Sequence, residues 1–254
     1  MDRLIHTALN SLSITRNEKI NQAQNLANMN VPGFRRDLSN NGATSFLDAF
    51  DNRMKTRAFA LETGPAGFSD EPGPVQQTGQ KMDVAIVQRG YFYIMPENGE
   101  PALSRRGDFS RDQNGFLRDG AGNQMLDTNL QPIAIPPFLD IAVSDVGTIS
   151  ITTADGDPGV YVAVAELATV DPDPNVQLRK GLDGNIRTIG DTPLPQPNQL
   201  AQIAQGALEG SNVNPVGEMI EQMEMQREFE ISMKLISNAQ QIDEEGTRLM
   251  QAPE

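Results

Sequence analysis

Apolar residues fall on two long helical patterns at the ends of the chain and on short alternating runs between them. From Asp2 to about Asn30 there is neither Pro nor Gly. Ile5, Leu9 and Leu12, then Ala23 and Leu26, recur at steps of three and four, a narrow apolar seam that Arg16 and Lys19 interrupt. Pro32-Gly33 ends this helix, which at about 1.5 Å per residue over roughly 29 residues predicts a rod about 43 Å long. At the other end, Asn214-Pro215 supplies an N-cap and a first-turn proline. Val216, Met219, Met223, Phe229, Met233, Ile236 and Ala239 follow at helical spacing, widened by Ile220 and Leu235, and Asp243-Glu244-Glu245-Gly246 marks a fraying point or a stop. Neither stripe supports a helix standing alone in water, where helical stability comes mostly from packing.

The middle reads as strand and turn. Residues 34–75, with Asn40-Asn41-Gly42, Gly64-Pro65 and Pro72-Gly73-Pro74, form an irregular, extended connector. Over 76–200, Val84 and Ile86, Tyr91-Phe92-Tyr93-Ile94, Ile149-Ser150-Ile151 and Val160–Val164 are β-formers. Asn98-Gly99, Asn114-Gly115, Asp119-Gly120, Asp155-Gly156 and Asp183-Gly184 separate such runs as hairpin-type turns. An α+β chain follows: an N-terminal helix over 1–33, the connector, an all-β domain over 76–200, and a strand/turn segment with the last helix over 201–254.

Composition narrows the function. Charged residues are 21% of the 254, and no run of about 18 apolar residues exists to span a bilayer. The first residues lack a basic segment followed by an apolar one, so export without a cleaved signal is expected. With no Cys and only His6, thiolate sites, His-ligated zinc and triads lose their usual players. A net charge of −14 argues against nucleic acid as partner, leaving protein as the default. Charge also separates the ends: residues 1–36 sum to +3 and residues 208–254 to −7, which sets orientation in pairing more than affinity.

Candidate chemistry is thin. Asp155-Gly156-Asp157 and Asp171-Pro172-Asp173 read as turns, and Asp112-Gln113-Asn114-Gly115 lacks the closing Glu of a calcium loop. Gly120-Ala121-Gly122 has no third glycine. Arg35-Arg36 and Arg105-Arg106 read as solvated or intersubunit charges. No catalytic, cofactor-binding or metal-ligating residues are expected, and no small-molecule substrate. A carboxylate-based hydrolase or a wall-binding β-domain is the rival class, but no acid pair stands out among 34, Trp is absent, and aromatics are 5%.

Three blocks carry a family resemblance. Gln24-Asn25-Leu26-Ala27-Asn28-Met29-Asn30-Val31-Pro32-Gly33-Phe34-Arg35 is similar to the N-terminal signature of flagellar rod and hook proteins, with Val31 where the family has Thr. Thr78-Gly79, Asp83-Val84-Ala85-Ile86, Gly90-Tyr91-Phe92 and Arg106-Gly107-Asp108-Phe109 resemble the start of its β-domain. Leu208-Glu209-Gly210-Ser211-Asn212-Val213-Asn214-Pro215-Val216 resembles the block before its last helix. Asp171-Pro172 with Asp183-Gly184-Asn185-Ile186-Arg187 is similar to proximal-rod members, and distal-rod members are the alternative.

The resemblance implies a structural, non-catalytic subunit of a periplasmic shaft in the flagellar basal body. It implies export by the flagellar type III apparatus, partners that are copies of itself and other proximal and distal rod proteins, and torque passed from motor to hook. It also implies long N- and C-terminal helices forming a coiled-coil core element, with the all-β domain inserted between them. The residues expected at the assembly interface are Ile5, Leu9, Leu12, Asn25, Leu26, Asn28, Pro32, Gly33, Phe34, Asn212, Pro215, Val216, Met219, Met223, Phe229, Met233 and Ile236. Among them Pro32-Gly33-Phe34 is expected to turn the chain, with Phe34 as an anchor.

Overall fold

The structure, a computed structural model, describes residues 2–38, 67–97, 99–153, 159–181, 183–190 and 192–250. Side chains are described from Thr15 onward, apart from Leu235, Ala239, Asp243, Leu249 and Met250. The turn pairs at 98–99 and 155–156 and most of the 34–75 connector therefore lie wholly or partly outside the described residues. Two compact units are present. A helical unit holds helix α1 (Asp2–Ala27) and helix α2 (Pro215–Met250), and a β unit is built from Asn28–Arg36 and Phe68–Val213.

Among the described residues the β unit contains fifteen short strands, all paired antiparallel. They are β1 (Val75–Gln77), β2 (Val84–Ile86), β3 (Tyr91–Met95), β4 (Ala102–Ser104), β5 (Ser110–Arg111), β6 (Leu117–Arg118), β7 (Gln124–Met125) and β8 (Asp140–Val143). After these come β9 (Thr148–Thr152), β10 (Val162–Glu166), β11 (Thr169–Val170), β12 (Leu178–Lys180), β13 (Ile186–Thr188), β14 (Ile203–Gln205) and β15 (Ala207–Glu209). The largest sheet runs β12-β13-β4-β3-β7-β6-β5, with β11 also on β3. A meander joins β8, β9 and β10, while β14 pairs with β2 and β15 with β1.

Strand β3 explains the core. Its four successive apolar residues signal a strand covered on both faces, and side chains alternate faces at each step. Tyr91 and Tyr93 enter one cluster with Leu103, Leu126, Val170 and Ile186. Phe92 and Ile94 enter the other with Val84, Ile86, Leu117, Ile149 and Ile151, where the Phe92 and Phe109 rings meet edge to face at 5.4 Å.

Turns take up much of the acid. An Asp-x-Asn pattern recurs at Asp112, Asp127, Asp173 and Asp183, and each carboxylate accepts the backbone N–H of the Asn two residues on, at 2.9 to 3.2 Å. Such side-chain turns mimic a backbone turn, so these carboxylates serve loop geometry.

The expected coiled-coil architecture is corrected here: the chain is mostly β-sheet, and its helices do not form a long coiled-coil element. Helix α1 stops at Ala27, short of Asn30, where Val31 N–H turns back to the Asn28 carbonyl. A coiled coil needs apolar side chains at the repeating seam positions. The buried side chains described on α1 are instead Thr15, Gln22 and Asn25, at steps of seven and three, whereas Ile20 and Ala23 are exposed. Among the described side chains, helices α1 and α2 meet through polar contacts: the Gln22 amide donates to the Glu218 carbonyl, and the Lys19 ammonium sits 4.7 Å from the Phe229 ring centroid. Helix α2 also runs through Gly246 to Met250, since one glycine weakens a helix by only about 1 kcal/mol and does not stop it.

Two outcomes follow. Phe92→Ala, which empties the centre of the larger cluster, lowers stability by about 3–5 kcal/mol in denaturant titration followed by circular dichroism. Glu18 on α1 has its carboxyl pushed above the usual value by burial, then by Glu228 and Glu221. A carboxyl raised in the folded state costs stability while ionised, and the cost fades as pH falls through the raised value. Glu18→Gln therefore raises the helical melting temperature at pH 7, and the gain shrinks towards pH 4.

Candidate functional site

Two features stand apart from ordinary core and surface: a buried ionic junction in the β unit and an exposed apolar row on α2. The junction begins with Glu209, the last residue of β15. One carboxylate oxygen takes the Gly73 N–H at 2.8 Å and the Arg35 guanidinium at 3.0 Å; the other takes Arg105 Nε at 2.7 Å and its terminal nitrogen at 2.6 Å. All three charged side chains are at most 3% exposed. Arg105 spends its remaining donors on the carbonyls of Gln88, Gly90 and Ile86, and Arg35 donates to the Glu71 carbonyl. Burial lowers the Arg35 guanidinium's pKa, and Glu209 acts against that shift.

Glycines make the approach possible. Gly33 has φ of +65°, and a Cβ there would lie 2.4 Å from the Arg105 carbonyl group. Its N–H donates to the Glu209 carbonyl at 2.8 Å. At Gly73 a Cβ would lie 2.0 Å from the Gly210 carbonyl oxygen. Only glycine fits either place.

Asn212 extends the junction. Its side-chain oxygen accepts the Arg36 N–H at 2.6 Å, and its amide donates to the Ser69 and Glu71 carbonyls. Phe34 is half-buried, with the Lys180 ammonium 3.6 Å from its ring centroid and donating to the Arg35 carbonyl. In the helical unit, Asn25 clamps Asp37 by accepting its N–H at 2.8 Å and donating to its carbonyl at 3.0 Å. Asn25, Gly33 and Asn212 thus make contacts within the chain, and Asn28, Pro32 and Leu26 are half-buried.

The apolar row lies on α2. Asn214 caps the helix, its side-chain oxygen accepting the Val216 and Gly217 N–H groups. Beyond Pro215, the side chains of Val216, Met219, Met223, Phe229 and Met233 are exposed, Met223 by 68%, and Ile236 is half-buried. The side chains of Ile5, Leu9 and Leu12 lie outside those described.

Arg35 and Arg105, expected to be solvated or intersubunit charges, are buried, which corrects that reading. Their partner comes from a block far along the chain, so spacing could not reveal it; the clue was that each arginine lies beside a glycine-bearing block. The junction offers little chemistry: each carboxylate oxygen holds two partners, and among the described residues no group of three acids or histidines could hold a metal.

Removing Glu209 leaves two guanidiniums buried without their carboxylate. Breaking such a pair costs about 3–5 kcal/mol, so Glu209→Gln lowers the denaturation free energy by that amount. Lys81→Ala, which breaks the solvent-facing pair with Asp140, leaves the midpoint unchanged.

Known proteins resemble this chain along most of its length. A family model described as flagellar hook protein FlgE/F/G D1 domain matches residues 85–152, and one described as flagellar basal body rod FlgEFG protein C-terminal matches 204–249. The chain is 31% identical to flagellar basal-body rod protein FlgF of Escherichia coli K12, with 94% of each chain covered. It is 29% identical to that of Salmonella typhimurium LT2, over 98% of this chain and 99% of the relative. For flagellar basal-body rod protein FlgG of Bacillus subtilis 168 the identity is 27%, over 89% of this chain and 90% of the relative. With similarity along nearly its whole length, the chain belongs to the flagellar basal-body rod protein family, in which it is FlgF-like.

Proposed function

We propose that this protein is a structural, non-catalytic subunit of the flagellar basal-body rod, a proximal-rod component polymerising with its own copies and with other rod proteins. It works in the periplasm, reaches it through the flagellar type III apparatus without a cleaved signal, and passes torque from motor to hook. Family membership supports the rod assignment. One observation carries the assembly: the row of large apolar side chains that α2 leaves in water.

Single exposed apolar residues are ordinary, but this many large ones on one helix mark an interaction surface. Fully burying one such side chain is worth roughly 1.5–3 kcal/mol, so five or six outweigh part of the cost of ordering a subunit. Contacts between unlike surfaces that do not close on themselves propagate as a helix, the geometry of a shaft. Neighbours along and around such a shaft are inequivalent, and methionine adapts to varied partners. Met219, Met223 and Met233 suit that setting.

The proposed interface joins Val216, Met219, Met223, Phe229, Met233 and Ile236 of α2 with Ile5, Leu9, Leu12 and Leu26 of α1. Asn25, Asn28, Pro32, Gly33, Phe34, Asn212 and Pro215 act by fixing how the chain leaves each helix. The exposed acids Glu221, Glu224, Glu228 and Glu230 orient the contact towards basic neighbours.

The test is Met219→Glu with Met223→Glu in a flagellated bacterium relying on this copy. The purified variant melts like the parent, but isolated basal bodies lack it and motility falls to background. Normal incorporation and swimming would refute the proposal.

A further inference from the structure

The stretch from Gln202 to Val213 touches more of the β unit than a connecting segment needs to. Strand β14 pairs with β2 over Val84, Ala85 and Ile86, and β15 pairs with β1 over Val75, Gln76 and Gln77. Neither β1 nor β2 has another strand partner among the described residues. Val87 N–H donates to the Gln202 carbonyl, Ile203 N–H to Asp145, and Gly210 N–H to Pro74. Asn212 N–H donates to Phe34, while its side chain holds Arg36, Ser69 and Glu71. Ile203 and Ala207 are buried, and Ile203 belongs to the main apolar cluster.

We infer that residues 202–213 are a closing strap, and that the β unit becomes a folded body only when this strap docks and delivers the Glu209 carboxylate. Without it, Arg35 and Arg105 are two buried cations whose shared anion is missing. The Gly33 and Gly73 N–H groups lose their acceptors, and β1 and β2 lose their ladders. Each loss is costly in a dry interior, and all fall on one segment. The strap follows every other strand in chain order, so until it arrives the main cluster lacks Ile203 and the ionic junction lacks its anion.

The helix with the exposed apolar row begins one residue after Asn214, directly downstream of the strap. Maturation of the β unit and availability of that row are therefore linked by sequence alone. For a rod subunit delivered as an extended chain, the strap postpones folding until the chain is nearly all through. That use rests on the rod reading, whereas the strap itself does not.

Native-state hydrogen exchange on the full-length protein, across a denaturant series, tests this. Amides of Tyr91–Met95 and Ala102–Ser104 should open with the same free energy and the same denaturant slope as those of Ile203–Glu209. In Glu209→Gln all three sets should exchange faster by one common factor of at least about 100. Should that variant prove too unstable, Glu209→Asp should give a smaller factor, again common to all sets. Opening of 203–209 alone, with 91–95 and 102–104 still protected at least tenfold more, would overturn the inference in either variant or in the unmodified protein. Because no assembly is involved, a negative result here leaves the rod reading untouched, and a motility failure leaves the strap untouched.

Discussion

A single carboxylate held between two guanidiniums sets the terms for the β unit. Charges taken out of water are tolerated only when paired and hydrogen-bonded. Glu209 meets that condition for Arg35 and Arg105 together; Arg105 uses its other donors on the carbonyls of Gln88, Gly90 and Ile86, and Arg35 gives one to that of Glu71. The close approach of Gly33 to Arg105 and of Gly73 to Gly210 then follows. Any side chain at those glycines would push the charges apart.

The helical unit obeys a different rule. Its described internal contacts are largely polar, and most of its described large apolar side chains are exposed. A helix pair arranged this way gains little from closing on itself and much from meeting something else. The acidic face of α2 and the like charges gathered around Glu18 weaken the pair further. The β unit is thus self-sufficient in its core, while the helical unit keeps its apolar surface in reserve.

How much was readable beforehand depends on how local the cause was. Tyr91-Phe92-Tyr93-Ile94 announced a strand, and Asn214-Pro215 announced a helix start, because both signals lie within a few residues. The turns at Asn114-Gly115, Asp119-Gly120 and Asp183-Gly184 were visible for the same reason. The coiled-coil expectation failed because a seam was carried across Arg16 and Lys19 to Ala23 and Leu26, whereas the buried positions among the described side chains are Thr15, Gln22 and Asn25. The ionic junction stayed hidden because its three charges come from three distant blocks. Those blocks were recognised by resemblance, and only the fold showed them meeting at one point.

That meeting has a mechanical side. Residues leading out of α1 and residues leading into α2 are fastened to the same place, Gly33 and Arg35 on one strand of chain and Glu209 on the other. A pull on the chain at either end of the β unit therefore meets one shared anchorage, where the two segments hold each other directly. The β12-β13 hairpin braces it, since Lys180 donates to the Arg35 carbonyl, whereas the β8-β9-β10 meander takes no part in the fastening. The anchorage bears the stress, and the meander is spared it.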